Sequence, residues 1–538
     1  MFTLAVVIYL YSLLILTLGL LGLLTKVNIS FVSLILVFIT LIFFLKKDNN
    51  KTRFNLKAEF LKLCKDKLTF VLFLILLLQI IVNLIGVFGP ELSFDALWYH
   101  LTLPKLYILN SRIFPIKGGL LYYSSFPQLT EMLYTAALAV NNEILAKFTH
   151  FLFGLFCLFS IYQLLKKFGK TMAIFGCVLF YTQLVVGWLS TTAYIDLVRV
   201  FFEILAFNFF LKWSEDKNNK KLLLKSSILI GFAISTKLLS FYSLASYLIL
   251  ILIFSQKTKI RNLLTYLFFA LLVPLPWFIL SFLKTGNPVY PLFTSWFFKG
   301  QSQGLTLGQW LQTRNIISFV TVYVKTVFTR GDILTPALLL GLPLIIYKKN
   351  IILVKEILVV LFFTINYIFF FFTPLNYNRF LLPYIPVFIY LVLFILKSLK
   401  KDEKVLKSTF ILVSLFIAIV NLLTRGLVNY KFVPVIIGKE SKSSFLSENL
   451  NFDVGNFYDI DGWFKENIKG DEKALVYGVH NLFYLDFPFD HISWVNKETY
   501  YSYIIDQNDS RVKEFANLPL LYENSRTRVK VYKFRNKI

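Results

Sequence analysis

The sequence predicts an all-α polytopic membrane bundle of about thirteen helices, with amphipathic helices in its outer loops and a small α/β domain at its carboxyl end. Three observations carry this. Hydrophobic residues make up 57% of the 538 residues and charged residues only 16%, where a soluble domain carries about a quarter, and the mean hydropathy is +0.67. Apolar runs close to the roughly 20 residues that cross a bilayer recur along the chain. Lysine and arginine collect in short loops between those runs, in every second loop, as the positive-inside rule requires.

The expected spans are 3–25, 28–46, 68–89, 143–165, 171–189, 192–211, 222–238, 240–254, 261–283, 333–347, 352–373, 378–396 and 407–424. The first run, Leu4 to Leu24, has no small-residue cleavage site and a second run follows at once, so it reads as a retained helix and not as a signal peptide. The loop at 46–67 holds Lys46, Lys47, Lys51, Arg53, Lys57, Lys62, Lys65 and Lys67 and is expected on the cytoplasmic side. Alternation from there makes the other lysine-dense short loops cytoplasmic as well. It puts the amino terminus inside and the carboxyl terminus outside a plasma membrane. Two segments, 90–142 and 284–332, then fall on the outer side. Their apolar and aromatic stretches, broken by Pro and Gly, suit amphipathic helices along the membrane surface.

The tail from about Gly426 has ordinary amounts of Asp, Asn and Glu and no run of span length. Ala474 to Val479 and Thr527 to Phe534 read as strands and Tyr458 to Ile468 as an amphipathic helix. The expected divisions are 1–67 for two amino-terminal spans and their basic loop, 68–425 for the membrane core, and 426–538 for an extracytoplasmic α/β domain.

Composition also excludes. The formal charge of +26 would suggest nucleic acid in a soluble protein, but here the cations lie beside apolar spans and no basic nucleic-acid module is legible. Cys64, Cys157 and Cys177 are scattered, as are His100, His150, His480 and His491, so no disulfide framework or metal-ligand spacing appears.

Ionisable groups at membrane depth or at a bundle mouth mark candidate sites. Asp95, in Ser93-Phe94-Asp95-Ala96-Leu97-Trp98-Tyr99-His100, lies just past the outer end of the 68–89 span. A carboxylate beside Trp, Tyr and His suits a general base or a metal ligand, while a helix cap explains the same residue structurally. Asp196 follows Thr191-Thr192-Ala193-Tyr194-Ile195 in the shortest outer turn, where again a cap competes with a site. Arg199 and Glu203 repeat along the same helix and suggest a polar seam facing protein. Glu131 closes the first long outer segment as a third carboxylate. Lys237 and Arg379 interrupt apolar stretches near the outer boundary. Snorkelling accounts for both cations, and so does a bound phosphate, for which arginine is well shaped.

Taken in order, these segments resemble the GT-C superfamily of membrane glycosyltransferases, especially bacterial enzymes that use polyprenyl-phosphate sugars and are similar to protein O-mannosyltransferases and aminoarabinose transferases. The resemblance rests on Phe94 to Leu101 with Leu103-Pro104-Lys105, on Ala193-Tyr194-Ile195-Asp196, on Gly231 to Lys237, on Gly286-Asn287-Pro288-Val289-Tyr290-Pro291, and on Arg379-Phe380-Leu381-Leu382-Pro383. It covers roughly residues 68 to 424. It implies a GT-C-like catalytic core that takes a polyprenyl-phosphate sugar from the bilayer and an acceptor hydroxyl (glycan, lipid or protein) from the extracytoplasmic side. By this resemblance Asp95 is the base, Asp196 positions acceptor or metal, and Glu131 supports either. Lys237 and Arg379 then neutralise the departing phosphate, His100 and Tyr194 line the substrate site, and the anomeric carbon is inverted.

Two departures stand out. The family opens its large outer loop after the first span, whereas two further spans precede it here. Asp95 also lacks the adjacent second acid common among relatives. No cofactor is therefore assigned, and a divalent metal ion is the one left open. The rival from another class is a transporter or flippase of a lipid-linked glycan, against which stand the absence of an internal repeat and the position of the acids at span ends.

Overall fold

The computed structural model describes residues 1–47, 66–255, 258–294, 321, 341, 343–346, 354–372, 377–470, 472–495, 498–510 and 517–537. Most of the basic loop at 46–67, most of the second outer segment and most of the expected 333–347 span lie outside the described residues.

The first two spans are α1 (Phe2–Leu20) and α2 (Lys26–Lys47), followed by α3 (Lys67–Phe88). The first outer segment contains a π-turn at Ala96–His100, α4 (Thr102–Leu109) and α5 (Leu129–Val140). Then come α6 (Glu143–Leu165), α7 (Lys170–Tyr181), α8 (Leu184–Leu189), α9 (Asp196–Glu215), α10 (Lys220–Thr236) and α11 (Phe241–Phe254). The membrane part ends with α12 (Lys259–Leu272), α13 (Leu275–Thr285), α14 (Val354–Phe371), α15 (Ile385–Ser398) and α16 (Lys404–Tyr430).

Among the described residues five helical stretches are long and apolar enough to cross a membrane: Phe2–Leu20, Lys67–Phe88, Glu143–Phe168, Asn378–Ser398 and Lys401–Tyr430. The expected 261–283 span is a bent pair, α12 and α13 meeting at 59°, because Pro274 and Pro276 interrupt the helical hydrogen bonds there. The expected 171–189 span is likewise broken, at Thr182 and Gln183 between α7 and α8.

Sequence chemistry explains the joints. Asp66 caps α3 by accepting the Leu68 N–H, and Asn142 caps α6 through Ile144 N–H. Gly286 ends α13 in the left-handed region, φ 74°, which glycine enters without Cβ strain. α1 is built into the bundle: the Ser12 hydroxyl donates to the Leu129 carbonyl at 3.1 Å, and Tyr9 stacks on Phe232 with ring centroids 4.5 Å apart. α5 is buried over almost its whole length, so this outer-segment helix is embedded among α1, α4 and α6 instead of presenting an amphipathic face.

The tail carries a five-stranded mixed sheet of order β2-β1-β3-β5-β4, from β1 (Ala474–Tyr477), β2 (Phe489–His491), β3 (Tyr501–Gln507), β4 (Leu520–Asn524) and β5 (Val529–Asn536). β1 is parallel to both β2 and β3, and β5 is antiparallel to β3 and β4. The tail is fastened to the first outer segment. Lys105 Nζ donates to the Phe483 and Leu485 carbonyls at 2.7 and 2.9 Å, the Tyr484 hydroxyl donates to the Glu91 carbonyl at 2.9 Å, and Gly119 N–H donates to Ser493 Oγ at 3.0 Å.

Candidate active site

Two short connections meet near this domain. One, after α3, runs through Gly89-Pro90-Glu91 to the π-turn and brings Asp95. The other, between α8 and α9, brings Tyr194 and Asp196. Glu91 joins them. Its carboxylate is 1% exposed; Oε1 accepts the Leu92 and Ser93 N–H groups at 2.9 and 2.8 Å, and Oε2 accepts Ala193 N–H at 2.7 Å. Lys147, on α6, holds the same connection from below by donating to the Gly86 and Gly89 carbonyls at 2.9 and 2.7 Å. A Cβ on Gly89 would stand 2.0 Å from the Phe432 ring, so only glycine allows this approach.

The second connection is set by His150. Its Nδ1 lies 2.8 and 2.9 Å from the Leu189 and Thr192 carbonyls, and its Nε2 accepts Leu197 N–H at 3.0 Å. Two carbonyls require Nδ1 to carry the proton and the amide requires Nε2 to be bare, so this imidazole is a neutral buried strut.

A third element supplies the cations. The 3₁₀ turn Asn378–Tyr384 at the head of α15 presents Arg379, whose Nη2 donates to Asp95 Oδ2 at 2.7 Å. The guanidinium carbon lies 4.9 Å over the Tyr194 ring, a cation–π geometry, and Tyr194 in turn accepts Asp95 N–H at 3.4 Å. Lys237, the extended residue after α10, donates to Asp196 Oδ1 at 2.8 Å and lies 4.7 Å over the Phe380 ring. Asp196 is 2% exposed, whereas Asp95 and Arg379 keep 21% and 16% of their side chains accessible.

Asp95, Tyr194, Arg379, Tyr377 and Trp188 line one cavity of about 290 Å³. Asp196 and Lys237 stand behind Arg379. Two polar atoms here are buried without a protein partner, Asp196 Oδ2 and Arg379 Nε, and buried groups of this kind call for a ligand or water.

The structure thus brings Asp95, Tyr194, Asp196, Lys237 and Arg379 together. Neither carboxylate is a helix cap: Asp95 makes no capping bond and pairs with Arg379, and Asp196 begins α9 with its side chain on Lys237. Glu131 and His100 are elsewhere. They bond each other, Oε1 to Nδ1 at 2.8 Å, and are buried beside the Tyr194 ring, whose centroid lies 5.7 Å from that of His100. Glu131 sits in the first turn of embedded α5, which holds it off the cavity wall. Among the described residues no three His, Cys, Asp or Glu side chains converge. Asp95 and Asp196 each hold a cation from the protein, Arg379 and Lys237.

Arg199 and Glu203 form the seam expected of them. Arg199 Nε donates to Glu203 Oε1 at 2.6 Å and to Ser240 Oγ at 3.1 Å, and its Nη2 donates to Tyr384 Oη at 3.0 Å.

Residues 132–280, which include Tyr194, Asp196 and Lys237, match the family model for dolichyl-phosphate-mannose-protein mannosyltransferase. The fold is similar to that of ArnT from Cupriavidus metallidurans in the crystal structure bound to undecaprenyl phosphate, with 12% identity, 85% of this chain and 97% of that chain covered, and a TM-score of 0.57. The apo state of that ArnT gives 11% identity over the same shares of the two chains and a TM-score of 0.55. The Archaeoglobus fulgidus oligosaccharyltransferase in complex with Zn and sulfate gives 13% identity, 80% of this chain and 68% of that chain, and 0.46. No curated protein matches the sequence. Part of the chain thus matches a mannosyltransferase family model, and the fold as a whole is similar to that of the multi-pass membrane protein ArnT.

Proposed function

We propose that the protein transfers a sugar from a polyprenyl-phosphate donor to an extracytoplasmic acceptor hydroxyl, with inversion at the anomeric carbon. The observation that carries this reading is the Asp95–Arg379 pair across one cavity, a base and a phosphate-binding cation within 2.7 Å of each other. The crystal structure of ArnT bound to undecaprenyl phosphate gives the donor class its precedent.

In this reading the acceptor hydroxyl gives its proton to Asp95, whose accessible face borders the cavity. The freed oxygen pair attacks the anomeric carbon as the bond from that carbon to the phosphate oxygen breaks. The breaking pair stays on the phosphate, leaving polyprenyl phosphate. Arg379 faces that developing charge, and Lys237 stands behind it, where fixed cations in a water-poor site stabilise a transition state most. Asp196 keeps Lys237 aimed at the mouth. Tyr194 forms the wall on which Arg379 rests, and the His100–Glu131 pair supports Tyr194 from behind. The mouth lies on the outer side of a plasma membrane, with the amino terminus inside and the tail domain outside, as the lysine-dense loops favour.

The test is release of labelled sugar from a panel of polyprenyl-phosphate sugars by the purified, reconstituted protein, compared with Asp95→Asn. Release lost in a folded Asp95→Asn supports the reading. No release from any donor, with crude cell-envelope acceptors supplied, overturns it.

A further inference from the structure

A second, larger cavity shares no lining residue with the Asp95 cavity. It occupies about 820 Å³ between the outer segment around α4 and the sheet domain. Such a volume is in the range of small-ligand sites, roughly 300–1,000 Å³. Its walls come from two parts of the chain: Leu106 and Phe114 from the outer segment, and Phe487, Phe489 and Trp494 from the tail. Phe489 and Trp494 have ring centroids 6.5 Å apart, and Trp494 also abuts His491 at 5.0 Å.

The polar groups of the same cavity carry both signs. Lys105, Lys117 and Lys473 line it together with Asp486 and Asp490. Asp490 is held rigid, its Oδ2 2.8 Å from Lys473 Nζ and accepting the Tyr501 hydroxyl at 2.8 Å. Asp486 takes one bond from Lys105 yet leaves 82% of its side chain accessible, and Lys117 is exposed.

This mixture discriminates among ligands. A phosphate would meet Asp486 and Asp490, and a cation would meet the lysines. An acyl chain would strip water from five charged groups, Lys105 among them, without bonding them, which is costly. A polyhydroxylated ring suits all of it: its C–H faces lie on aromatic side chains, and its hydroxyls donate to carboxylates and accept from ammonium groups. The cavity is also continuous with the lock between tail and outer segment, since Lys105 and Asp486 line it.

We infer that the cavity between α4 and the tail domain is a saccharide-binding site, and that the acceptor of this transferase is a neutral glycan held there. The acceptor clause rests on the transferase reading above; the binding site does not.

The experiment measures binding of neutral di- to tetrasaccharides to the full chain in lipid nanodiscs, by saturation-transfer NMR and tryptophan fluorescence. Inorganic phosphate and a Ser/Thr-rich peptide serve as comparison probes. Wild type, Trp494→Ala, Lys117→Ala and Arg379→Ala are run in parallel. Lys117→Ala changes an exposed side chain and keeps the test valid should Trp494→Ala misfold. We expect saccharide binding at least tenfold weaker in Trp494→Ala and Lys117→Ala, and unchanged in Arg379→Ala, which loses sugar release from the donor. Binding of the peptide in place of saccharides, or saccharide binding that neither cavity variant weakens, overturns the inference. So does a protein that releases donor sugar yet binds no saccharide, an outcome that leaves the transferase reading standing. Saccharide binding at this cavity with no donor release keeps the site and removes the reaction.

Discussion

Arg379 and Asp95 are 284 residues apart in the chain and 2.7 Å apart in the structure, joined while Arg379 also rests on the Tyr194 ring. Three separate connections are therefore locked by one guanidinium. Replacing Arg379 with lysine keeps a charge but gives up the planar contact and the second row of donors. We expect Arg379→Lys to lose most of the donor release, and Asp95→Asn to lower turnover by roughly 10²–10⁴-fold, the usual contribution of a positioned base. Single-turnover rates with a saturating labelled donor check both. A variant Asp95→Asn within threefold of wild type would falsify the role of Asp95 as base.

Lys237 and Asp196 form the second pair, more deeply set, with Asp196 2% exposed. Lys237→Ala strands a buried carboxylate, and breaking such a pair costs about 3–5 kcal/mol. Asp196→Asn is milder, since the amide keeps an acceptor for Lys237. The expected order is a large loss of thermal stability and activity for Lys237→Ala, and an activity loss with a smaller stability loss for Asp196→Asn. Unfolding followed by tryptophan fluorescence, paired with rate measurements, separates the two.

Glu91 ties the Asp95 and Tyr194 connections through three backbone donors. Glu91→Ala orphans all three, and each buried orphan costs roughly 1–3 kcal/mol. Activity should fall with stability, because the two sides of the cavity lose their common tie. Glu91→Gln keeps an acceptor oxygen and should recover part of both. Equal stability of Glu91→Ala and wild type would dismiss the tie.

Spans and site residues differ in how legible they are. Apolar runs announce α1, α3, α6 and α16 because lipid is their solvent and length alone suffices. Short embedded helices such as α5 and α8 are hidden, since protein and not lipid covers them and no length rule applies. The bend between α12 and α13 was readable in Pro274 and Pro276. In the tail, β1 carries a clear apolar run and β5 an alternating pattern, Val529-Lys530-Val531. β3 had an aromatic and β-branched signal in Tyr501-Ser502-Tyr503-Ile504-Ile505, whereas β2 is three residues long and offers almost none. Within the site, Asp95, Asp196, Lys237 and Arg379 stood out as ionisable groups at span ends. Their pairing did not, because it depends on three turns meeting. Glu91, Lys147 and His150 bond mainly backbone, and a sequence pattern carries no trace of such bonds. The one hint was Glu91 beside Gly89-Pro90, an acid at a rigid bundle mouth.

His491 is expected to make the tail's attachment pH-sensitive. Its Nδ1 accepts Ser493 N–H at 3.2 Å and lies 2.8 Å from the Ser493 hydroxyl, the same hydroxyl oxygen that accepts Gly119 N–H from the outer segment. Burial first, and the nearby His480 next, push its pKa down from 6.5 to about 4. A histidine whose folded pKa is lowered resists the proton in the native state, so its contribution to stability is full above about pH 6.5 and shrinks as pH falls toward 4. We expect proteolysis of the tail to quicken between pH 6.5 and 4.5 in wild type, and the pH slope to flatten in His491→Asn. A slope identical in the two proteins removes His491 from this attachment.

Arg199 offers a test of how the cation-bearing turn is held. The side chain is 1% exposed and bonds Glu203, Ser240 and Tyr384, the last at the end of the turn that carries Arg379. Ser243 adds a further bond to Glu203 and lies 3.0 Å from the Tyr384 hydroxyl. Removing Arg199 alone leaves Glu203 charged and buried, so Arg199→Met should cost about 3–5 kcal/mol. Removing both charges leaves no buried ion, and an apolar pair of similar volume is often neutral in such places. The double variant Arg199→Met/Glu203→Leu should therefore regain most of the stability. Its activity tells the two roles apart. If the seam only fills the core, the double variant works as well as it folds. If the seam aims the Asn378–Tyr384 turn, the protein folds yet releases donor sugar more slowly, with the loss in kcat larger than any rise in KM, because Arg379 is then present but poorly placed. We expect the second result, since Tyr384 loses its partner Arg199 in the double variant while lipid-facing surfaces are untouched.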